Sequence, residues 1–534
     1  MRFQLYKKEF YGIIYLWKDV SVVAKYDIID YIKDIDKKGL KETWHSILSK
    51  TLDNDFDSDI FSLDNYGELY EIGLAHENKI SKKKQGKYYT PRDVALLMAG
   101  WLKDLDAQNV CDVGCGVGNL TLAYLDLIGK EKTRDLISAG KLYLYDMDEI
   151  ALEICKYTIA IKFGKDLLNK INIEVCDFLN KKVELPKNSK VISNPPYYKI
   201  SDYGKYWNKT KVMMDSKELY SCFMEKIIKE SDKAVIITPY SFIGGGKFYS
   251  LRKVMNKYNG FVISFDNVPG NIFNGRKYGI FNSNKGNSVR AAITVVENRE
   301  GVKGFRFSPL LRFKTDERSK MLNRKYLENQ VNDRYQEVNS KKRAYYKCHN
   351  ELINVFDRWI DISDKKMSSM ISSKEGYEIY VPTTCRYFTV GSKRKLNRVG
   401  IRIVHVLKKE EYNYIYCMLN STFAYWYWRL YDGGINCPLT IINSIPVFFN
   451  KLTAAQKKEI NIIAEEMQKN EEKYLTYKMN AGKEQENIKF PIEYRNRINT
   501  IFFHALGITD DVSIFNIIHS SSLFAERDGE VDED

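Results

Sequence analysis

The sequence lacks the features that mark secreted, membrane-spanning and zinc-stabilised proteins. No apolar run reaches the about 20 residues that a membrane helix needs. The start of the chain has neither the apolar core nor the small-residue cleavage site of a secretory signal. The nine cysteines are scattered, and the six histidines show no metal-ligand spacing. We therefore expect a cytoplasmic protein with reduced thiols, no structural metal and no membrane contact.

Positive charge, by contrast, is abundant. Lys and Arg number 83 against 69 Asp and Glu, which gives the 534-residue chain a net charge of +14. Charged residues make up 28% and hydrophobic residues 44% of the chain, as is typical of folded globular proteins. The excess of positive charge favours a polyanionic partner, although a lysine-rich composition without meaning for binding explains it equally well.

The pattern of apolar and polar residues divides the chain into four segments. Residues 1–80 alternate apolar and charged residues and predict mostly helix. Residues 81–305 contain short β-rich runs separated by helical stretches, which predict an α/β domain with a twisted, mostly parallel sheet and helices on both faces. Residues 306–525 lose this alternation and predict a mixed α+β domain with C-terminal helices. Residues 526–534 predict a disordered acidic tail.

Three stretches of the third segment predict local structure. "CRYFTVGSKRKLNRVGIRIVHV" predicts strands around a basic turn, and "YIYCMLNSTFAYWYWRLYDGG" predicts a helix ended by glycines. "LTAAQKKEINIIAEEMQKNEEKYL" predicts an amphipathic helix, in which Thr453 and Gln456 fit a capping box.

The stretch "NVCDVGCGVGNLTLAYL" predicts a strand, a glycine loop and a helix. Gly114, Gly116 and Gly118 let the backbone turn tightly and let a ligand approach it closely. Asp112 at the strand end would repel a pyrophosphate but suits an ammonium group. This favours a cofactor with an amino-acid moiety, such as S-adenosylmethionine. A glycine turn in some other α/β protein is the alternative.

Acidic residues follow at two further strand ends. In "KLYLYDMDEIAL", Asp146 can accept hydrogen bonds from both hydroxyls of a ribose, and Met147 follows it. Asp148 is explained by a helix start near the macrodipole. In "EVCDFLN", Asp177 can accept a proton of the adenine amine while Phe178 covers the adenine face. We therefore expect Asp146, Asp177 and Phe178 in one cofactor site.

The stretch "ISNPPYY" contains the next predicted strand end. The side-chain oxygen of Asn194 can accept a hydrogen bond from an exocyclic amine. Pro195 and Pro196 lack N–H groups, so the loop presents the Pro195 carbonyl as a second acceptor. Tyr197 offers a flat face for stacking a planar heterocycle. We predict a grip on an aromatic amine and direct in-line methyl transfer, with a Pro-rich turn after a strand as the plain alternative.

The order of "GKYYTP", "DVGCGVGNL", "YDMD", "CDFL" and "NPPY", followed by a basic region, resembles the gamma class of N6-adenine DNA methyltransferases. These are the modification enzymes of bacterial restriction systems. The resemblance implies a Rossmann-like S-adenosylmethionine methyltransferase domain and a C-terminal target-recognition domain. It implies methylation of a flipped-out adenine in double-stranded DNA by a nucleoid-associated cytoplasmic enzyme, with or without a separate cognate restriction endonuclease. We expect a monomer.

In that family the segment matching "GKYYTP" closes over the methionine part of the cofactor, which implies cofactor contacts for Tyr88 and Thr90. Thr90, Pro91 and Asp93 also fit a helix start, as N-cap, first and third residue. Both roles can be true of Thr90.

The family also places an aromatic residue after the tetrapeptide, where it stacks on the flipped base. Phe273 in "NIFNGRKYGIF" is the best match. The interval before the strand "RAAITVV" is longer than the family's usual one, so Phe281 is a rival.

Basic and aromatic residues of the C-terminal segment are candidates for DNA recognition. The stretch "YCMLNSTFAYWYW" through "NSIPV" resembles the target-recognition domain of the class, although its aromatic run fits a core equally well. Two basic elements are candidates for phosphate or base contacts, against the alternative of solvated faces. They comprise Lys341, Lys342, Arg343, Lys393, Arg394, Lys395 and Arg398.

Residues 1–80 are short for a nuclease and lack its arrangement of acids, so we predict no cleavage activity.

Two other functions stay open. The tetrapeptide also resembles that of methyltransferases acting on protein glutamine or ribosomal RNA guanine, which are smaller and lack a basic C-terminal domain. N4-cytosine enzymes usually have serine in place of Asn194. A non-catalytic DNA-specificity protein with a methylase fold is the second alternative, which the intact Asn194 and glycine loop disfavour.

Overall fold

Most of the chain is described by the computed structural model. The described residues are 26–54, 61–78, 90–180, 182–200, 209–273, 289–338, 344–372, 374–385, 388–480, 482–520 and 524. Some predicted site residues lie outside them, namely Tyr88, Phe281, Lys341, Lys342 and Arg343, as does the acidic tail.

The helices described before residue 79 are α1 (Ile28–Lys38), α2 (Leu40–Leu52) and α3 (Tyr66–Asn78). They share a buried core around Trp44, whose Nε1 donates to Tyr31 Oη at 2.9 Å. The same core includes Val117 and Ile154, which belong to the segment that follows. The N-terminal helices therefore pack directly on the α/β part of the chain.

An eight-stranded sheet forms the centre of the α/β part, with strand order β3-β2-β1-β4-β5-β7-β6-β8. Every neighbouring pair is parallel except the two that involve β7. The predicted α/β fold with a mostly parallel sheet is confirmed. The strands are β1 (Asn109–Val113), β2 (Leu142–Asp146), β3 (Asn172–Val175), β4 (Ser189–Ser193), β5 (Lys233–Pro239), β6 (Asn259–Phe265), β7 (Ala291–Val296) and β8 (Gly304–Leu311).

Helices cover both faces of this sheet. Successive residues of β1, Val110 and Cys111, belong to different buried clusters, as do Val191 and Ile192 of β4. Because side chains alternate between faces along a strand, both faces are buried. The helices are α4 (Arg92–Asp104), α5 (Asn119–Ile128), α6 (Lys130–Ser138), α7 (Glu149–Phe163), α8 (Lys211–Ser216), α9 (Leu219–Glu230), α10 (Tyr249–Met255), α11 (Arg318–Met321) and α12 (Arg324–Asn329).

The strand order reverses between β1 and β4. From β1 the chain moves outward through β2 and β3, then returns to the other side of β1 for β4. In open α/β sheets, such a reversal leaves a crevice at the carboxyl ends of the strands, and ligands bind there.

The sheet continues past residue 305, where the sequence predicts a domain boundary. β8 spans that position, and α12 packs back on α4, with Trp101 Nε1 donating to Glu328 Oε1 at 2.8 Å. The buried cluster on this face extends to Val331. The α/β part thus draws on residues that the sequence assigns to the next segment.

The remaining elements surround one further core, in which Trp359 and Trp426 stack with ring centroids 5.8 Å apart. They are α13 (Ile353–Ile362), β9 (Lys365–Lys366), β10 (Ile371–Ser372), β11 (Tyr377–Pro382), β12 (Ile401–Val406), α14 (Lys409–Leu419), α15 (Thr422–Tyr431), α16 (Leu439–Ser444), β13 (Pro446–Val447), α17 (Ala454–Lys469), β14 (Leu475–Asn480), β15 (Lys483–Ile488), α18 (Ile492–Ala505) and α19 (Asn516–His519).

A buried carboxylate joins the C-terminal elements to the sheet. Asp266, directly after β6, accepts hydrogen bonds from Arg290 Nε at 2.7 Å, Arg312 Nε at 3.1 Å and Arg429 Nη1 at 2.6 Å. Arg429 belongs to α15, whereas Arg312 follows β8 and Arg290 precedes β7. Burial alone would raise the pKa of Asp266, but the three guanidiniums outweigh it and hold that pKa well below its usual range.

Two local predictions for the C-terminal segment were wrong. The predicted single aromatic helix is two helices, α14 and α15, because Asn420 Nδ2 bonds the carbonyls of Tyr416 and Gly391 and interrupts the helix. The described residues of "CRYFTV" form no strand, and β12 pairs instead with β11, which buries Ile379 and Val381.

Two other local predictions, the capping box and the burial of the aromatic run, are confirmed. The capping box of Thr453 and Gln456 begins α17. The aromatic run from Tyr425 to Trp428 is buried, as the core interpretation expects. Within the described ranges, no helix is long and apolar enough to cross a membrane, and no three His, Cys, Asp or Glu side chains group as metal ligands.

Candidate active site

A cavity of about 550 Å³ lies at the carboxyl ends of β1, β2, β3 and β4, where the strand order reverses. Its volume is in the range of small-molecule and cofactor sites. It brings together most of the predicted site residues that the structure describes. Those that line it are Thr90, Gly114, Gly116, Asp146, Met147, Asp177, Phe178, Asn194, Pro195 and Pro196. Asp112, Gly118, Tyr197 and Phe273 do not line it.

The glycine loop after β1 has the backbone that its sequence predicts. Gly114, Gly116 and Gly118 have φ values of 72°, 52° and 89°, in the left-handed region that favours glycine. A Cβ on Gly118 would overlap Cys155 Sγ of α7. Gly118 therefore permits close packing of the loop on α7, whereas Gly114 and Gly116 face the cavity.

Asp146 is held in one orientation at the tip of β2. Its Oδ2 accepts from the Gly116 backbone N–H at 2.8 Å, and its Oδ1 accepts from the Asp148 backbone N–H at 2.9 Å. Asp148 is the N-cap of α7, in agreement with the predicted helix start. The Asp146 side chain also lines the cavity, where carboxylate oxygens can accept hydrogen bonds from a ligand's hydroxyl groups.

Asp112 lies behind the glycine loop. Its Oδ2 accepts from the backbone N–H of Thr121 at 3.2 Å and from Thr121 Oγ1 at 2.6 Å, which ties β1 to α5. Burial raises the pKa of Asp112 to about 7, and the hydrogen bonds from Thr121 oppose that rise. This geometry gives Asp112 a supporting position, and its contact with a ligand's ammonium group stays a prediction.

Asp177 and Phe178 follow β3. Asp177 Oδ1 accepts from the Leu179 backbone N–H at 3.0 Å. Lys226 fixes the segment from below, since its Nζ donates to the carbonyl oxygen of Phe178 at 2.7 Å and lies 4.7 Å from that ring's centroid. An acid and an apolar ring therefore meet at one end of the cavity, as the sequence predicts.

Asn194 lies at the end of β4 with its amide oriented by a neighbour. Its Nδ2 donates to Thr90 Oγ1 at 3.0 Å. The predicted N-cap role of Thr90 is wrong, because α4 begins at Arg92 with Pro91 in the N-cap position and no side-chain cap bond. The Thr90 hydroxyl instead holds the amide that the sequence predicts to grip an amine.

Tyr197 packs beside the cavity. Its hydroxyl donates to the Ile237 carbonyl at 3.0 Å, and its ring meets Tyr220 and Phe273 edge to face, with centroids 6.2 and 6.1 Å away. Phe273 is only 1% exposed. The two predicted stacking rings are thus neighbours, but base stacking requires them to turn from this packing and stays a prediction.

Residues 61–343, more than half of the chain, match the family model for N-6 DNA methylases. The chain belongs to the N-6 DNA methylase family.

Curated relatives of this N-6 DNA methylase come from restriction-modification systems. It is 31% identical over 190 residues to the type II methyltransferase M.PstI of Providencia stuartii, covering 33% of this chain and 37% of that protein. It is 27% identical over 259 residues to the type I restriction enzyme MpnII methylase subunit of Mycoplasma pneumoniae, covering 44% and 46%. The chain thus spans less than half the length of either relative.

Similar solved structures include two from restriction systems. The type I restriction enzyme EcoKI M protein has a TM-score of 0.30 and 18% identity, covering 49% of this chain and 55% of that one. A nuclease-deletion mutant of the type ISP restriction-modification enzyme LlaGI, in complex with a DNA substrate mimic, has a TM-score of 0.42 and 12% identity. That match covers 82% of this chain and 62% of the mutant.

Several residues that line the cavity of this N-6 DNA methylase are missing from the sequence prediction. Lys41 comes from α2, in a segment without a recognised motif, and Tyr198 directly follows the predicted Tyr197. Leu219 and Phe223 of α9 line the cavity as well. Apolar residues on a helix carry no signal that separates cavity wall from core, so sequence patterns could not identify them.

The described basic residues of "SKRKLNR" differ in their side-chain contacts and in their exposure to solvent. Lys393 Nζ donates to Asn413 Oδ1 at 2.6 Å and lies over the rings of Tyr412 and Tyr416. Lys395 is exposed.

The two arginines of the same stretch contact neighbouring side chains. Arg394 pairs with Glu472 at 3.0 Å, and Arg398 donates to Asn487 and to Thr384. DNA contact by these residues stays a prediction, and Lys395 has the most accessible charge of the four.

Proposed function

We propose that the chain is a site-specific DNA adenine methyltransferase of a restriction-modification system. It would transfer a methyl group from S-adenosylmethionine to the N6 amine of a flipped-out adenine in double-stranded DNA. The observation that carries this proposal is the meeting of Asn194 and the acids Asp146 and Asp177 in one cavity at the reversal of the strand order. Family membership and the methylases among the relatives support it.

The cavity residues fit S-adenosylmethionine. Asp146 would accept hydrogen bonds from the ribose hydroxyls, Asp177 would accept one from the adenine amine, and the Phe178 ring would cover the adenine face. The backbone of the loop from Gly114 to Gly116 would lie against the amino-acid part. When bound, the cofactor supplies the sulfonium methyl group that is transferred.

The end of β4 would hold the target amine. Asn194 Oδ1 and the Pro195 carbonyl would each accept a hydrogen bond from one N–H of the adenine amine. These two bonds would turn the nitrogen lone pair toward the cavity. Positioning the two reactants in line supplies a large part of the rate. The base must leave the DNA stack at a cost of a few kcal/mol, and stacking on Tyr197 and Phe273 would offset about 1–3 kcal/mol per ring.

The C-terminal elements would recognise the target site. The methyltransferase domain that the sequence assigns to residues 81–305 would extend through β8 and its buried cluster to Val331, and the residues after it, to 525, would form the target-recognition domain. Lys341, Lys342, Arg343 and Lys395 would contact the DNA backbone. The net charge of +14 supports a DNA partner. The enzyme would act as a cytoplasmic monomer, with or without a separate cognate restriction endonuclease.

Sequencing of modified bases in DNA from a host that expresses the protein tests this function. We expect N6-methyladenine at one recognition sequence with the wild type and none with Asn194→Ala. Asn172→Ala is a matched control, because Asn172 lies at the amino end of β3, away from the cavity. N4-methylcytosine, or no modified base from a folded wild type, would contradict the proposal.

A further inference from the structure

We propose that the N-terminal helices form part of the cofactor site, with Tyr70 of α3 as a positioning residue for Asp146 and Lys41 of α2 as a wall of the cavity. This inference rests on the proposed function and gives a role to the segment before the methylase motifs.

The helix α3 lies against the glycine loop. A Cβ on Gly67 would come within 3.2 Å of Val117 Cγ2 and 3.6 Å of Asn119 Oδ1. Val117 is buried in the core that α1, α2 and α3 share. A movement of α3 would therefore displace the loop that carries Gly114 and Gly116.

A chain of hydrogen bonds connects α3 to the acid at the tip of β2. Tyr70 Oη donates to Asp148 Oδ1 at 2.7 Å. The backbone N–H of Asp148 donates to Asp146 Oδ1 at 2.9 Å, and Asp146 Oδ2 accepts from the Gly116 N–H. Hydrogen bonds to ionised carboxylates are stronger than neutral ones. Tyr70 thus helps to fix the turn that orients Asp146.

Side-chain contacts join α2 to the start of α7, at the end of the cavity where Asp146 lies. Lys41 Nζ lies 2.6 Å from Glu149 Oε2, and both residues line the cavity. One turn further along, His45 pairs with Glu153. Lys41 brings a positive charge to a wall that otherwise carries Asp146, Asp148 and Glu149. It therefore reduces repulsion among these acids and closes the cavity on the side of α2.

Calorimetry with S-adenosylmethionine on the full chain tests the positioning role, using Tyr70→Phe and Tyr66→Phe. Both tyrosines lie on α3 and are buried, and Tyr66 Oη donates to Thr51 Oγ1 at 3.0 Å, away from the cavity. Losing one hydrogen bond to a carboxylate predicts a roughly fivefold to tenfold weaker affinity in Tyr70→Phe. Tyr66→Phe should keep the wild-type affinity, although its melting temperature should fall about as far as that of Tyr70→Phe.

A second pair of variants tests whether Lys41 forms part of the cavity wall. Lys41→Ala should weaken cofactor binding by about twofold to fivefold at low salt, the range of exposed ion pairs. Lys50→Ala changes an exposed lysine near the other end of α2 and should leave affinity unchanged. Equal affinities for these two variants would remove Lys41 from the site.

The outcomes separate this inference from the proposed function. A folded wild type that binds no S-adenosylmethionine would overturn both. If the wild type binds and Tyr70→Phe binds as tightly as Tyr66→Phe, only the positioning role is overturned. Should Tyr70→Phe not fold, Asp148→Ala removes the acceptor of the Tyr70 hydroxyl while Tyr70 stays in place, and an unchanged affinity in that variant would also overturn the positioning role.

Discussion

Asn194 is the side chain on which the proposed chemistry depends most. Thr90 Oγ1 holds its Nδ2, which orients the amide at the end of β4. We expect Asn194→Ala to abolish methyl transfer while S-adenosylmethionine and DNA binding persist, because the acceptor of the target amine is lost and the rest of the cavity remains. Single-turnover transfer with a DNA duplex, together with calorimetry, measures both effects. Transfer near the wild-type rate would move the chemistry to other residues.

Asp146 should matter for cofactor affinity. Its replacement by alanine leaves the N–H groups of Gly116 and Asp148 without their acceptor, and would do the same to the ribose hydroxyls of the proposed cofactor. We expect Asp146→Ala to weaken S-adenosylmethionine binding by about 1–3 kcal/mol. Asp232→Ala is the control, since Asp232 is exposed at the start of β5, outside the cavity. Equal calorimetric affinities for the two variants would exclude Asp146 from the site.

Single residues were predictable where they follow strand ends. Asp146, Asp177 and Asn194 meet in one cavity because the carboxyl ends of parallel strands converge, a rule that needs only the sequence pattern. The partners of side chains were not predictable in this way. The hydroxyl of Thr90 bonds Asn194 rather than capping a helix, and Tyr70 reaches Asp148 across 78 residues of chain.

Helices and strands were likewise predictable from local sequence patterns but not where they depend on tertiary contacts. Strands β1, β2 and β4 were predicted from their apolar runs, which are continuous because both faces of the sheet are covered. The break between α14 and α15 was missed, because Asn420 bonds Gly391 from another part of the chain. The packing of α2 and α3 on the cavity is likewise a tertiary contact, which the helical pattern of residues 1–80 does not indicate.

The junction of four elements at Asp266 predicts a large effect on stability. Asp266→Asn leaves three buried guanidiniums without their carboxylate, so we expect the free energy of unfolding to fall by about 3–5 kcal/mol. Asp166→Asn is the control, because its ion pair with Arg134 is exposed and screened by solvent, so its loss should change the free energy of unfolding far less. Urea unfolding at neutral pH compares the two, and similar midpoints would contradict the expected role.

The Asp266 carboxylate also makes the stability of the folded protein depend on pH. Because the folded state holds the pKa of Asp266 below its unfolded value of about 3.9, its contribution is complete above that value and is lost as pH falls toward the folded pKa. The wild type should therefore lose more stability than Asp266→Asn between about pH 5 and pH 3. Parallel losses in both proteins would show that other groups govern acid unfolding.

The whole molecule carries the charge that DNA binding requires. With a net charge of +14 and several phosphate contacts, affinity for a cognate duplex should fall by about 10³-fold or more between low and moderate salt. Fluorescence anisotropy across a salt series measures the slope. Lys395→Ala should reduce the slope by about one unit. A salt-independent affinity would argue against a phosphate-based interface.

The course of β8 across residue 305 limits how this protein can be recombined with its relatives. A chimera joined at that position would divide one strand between two parents and separate Arg312 from the Asp266 that it contacts. A join after Val331 keeps the strand and its buried cluster intact. The incoming half must still supply an arginine at the place of Arg429. An exchange of the C-terminal elements between parents must therefore preserve this buried side chain.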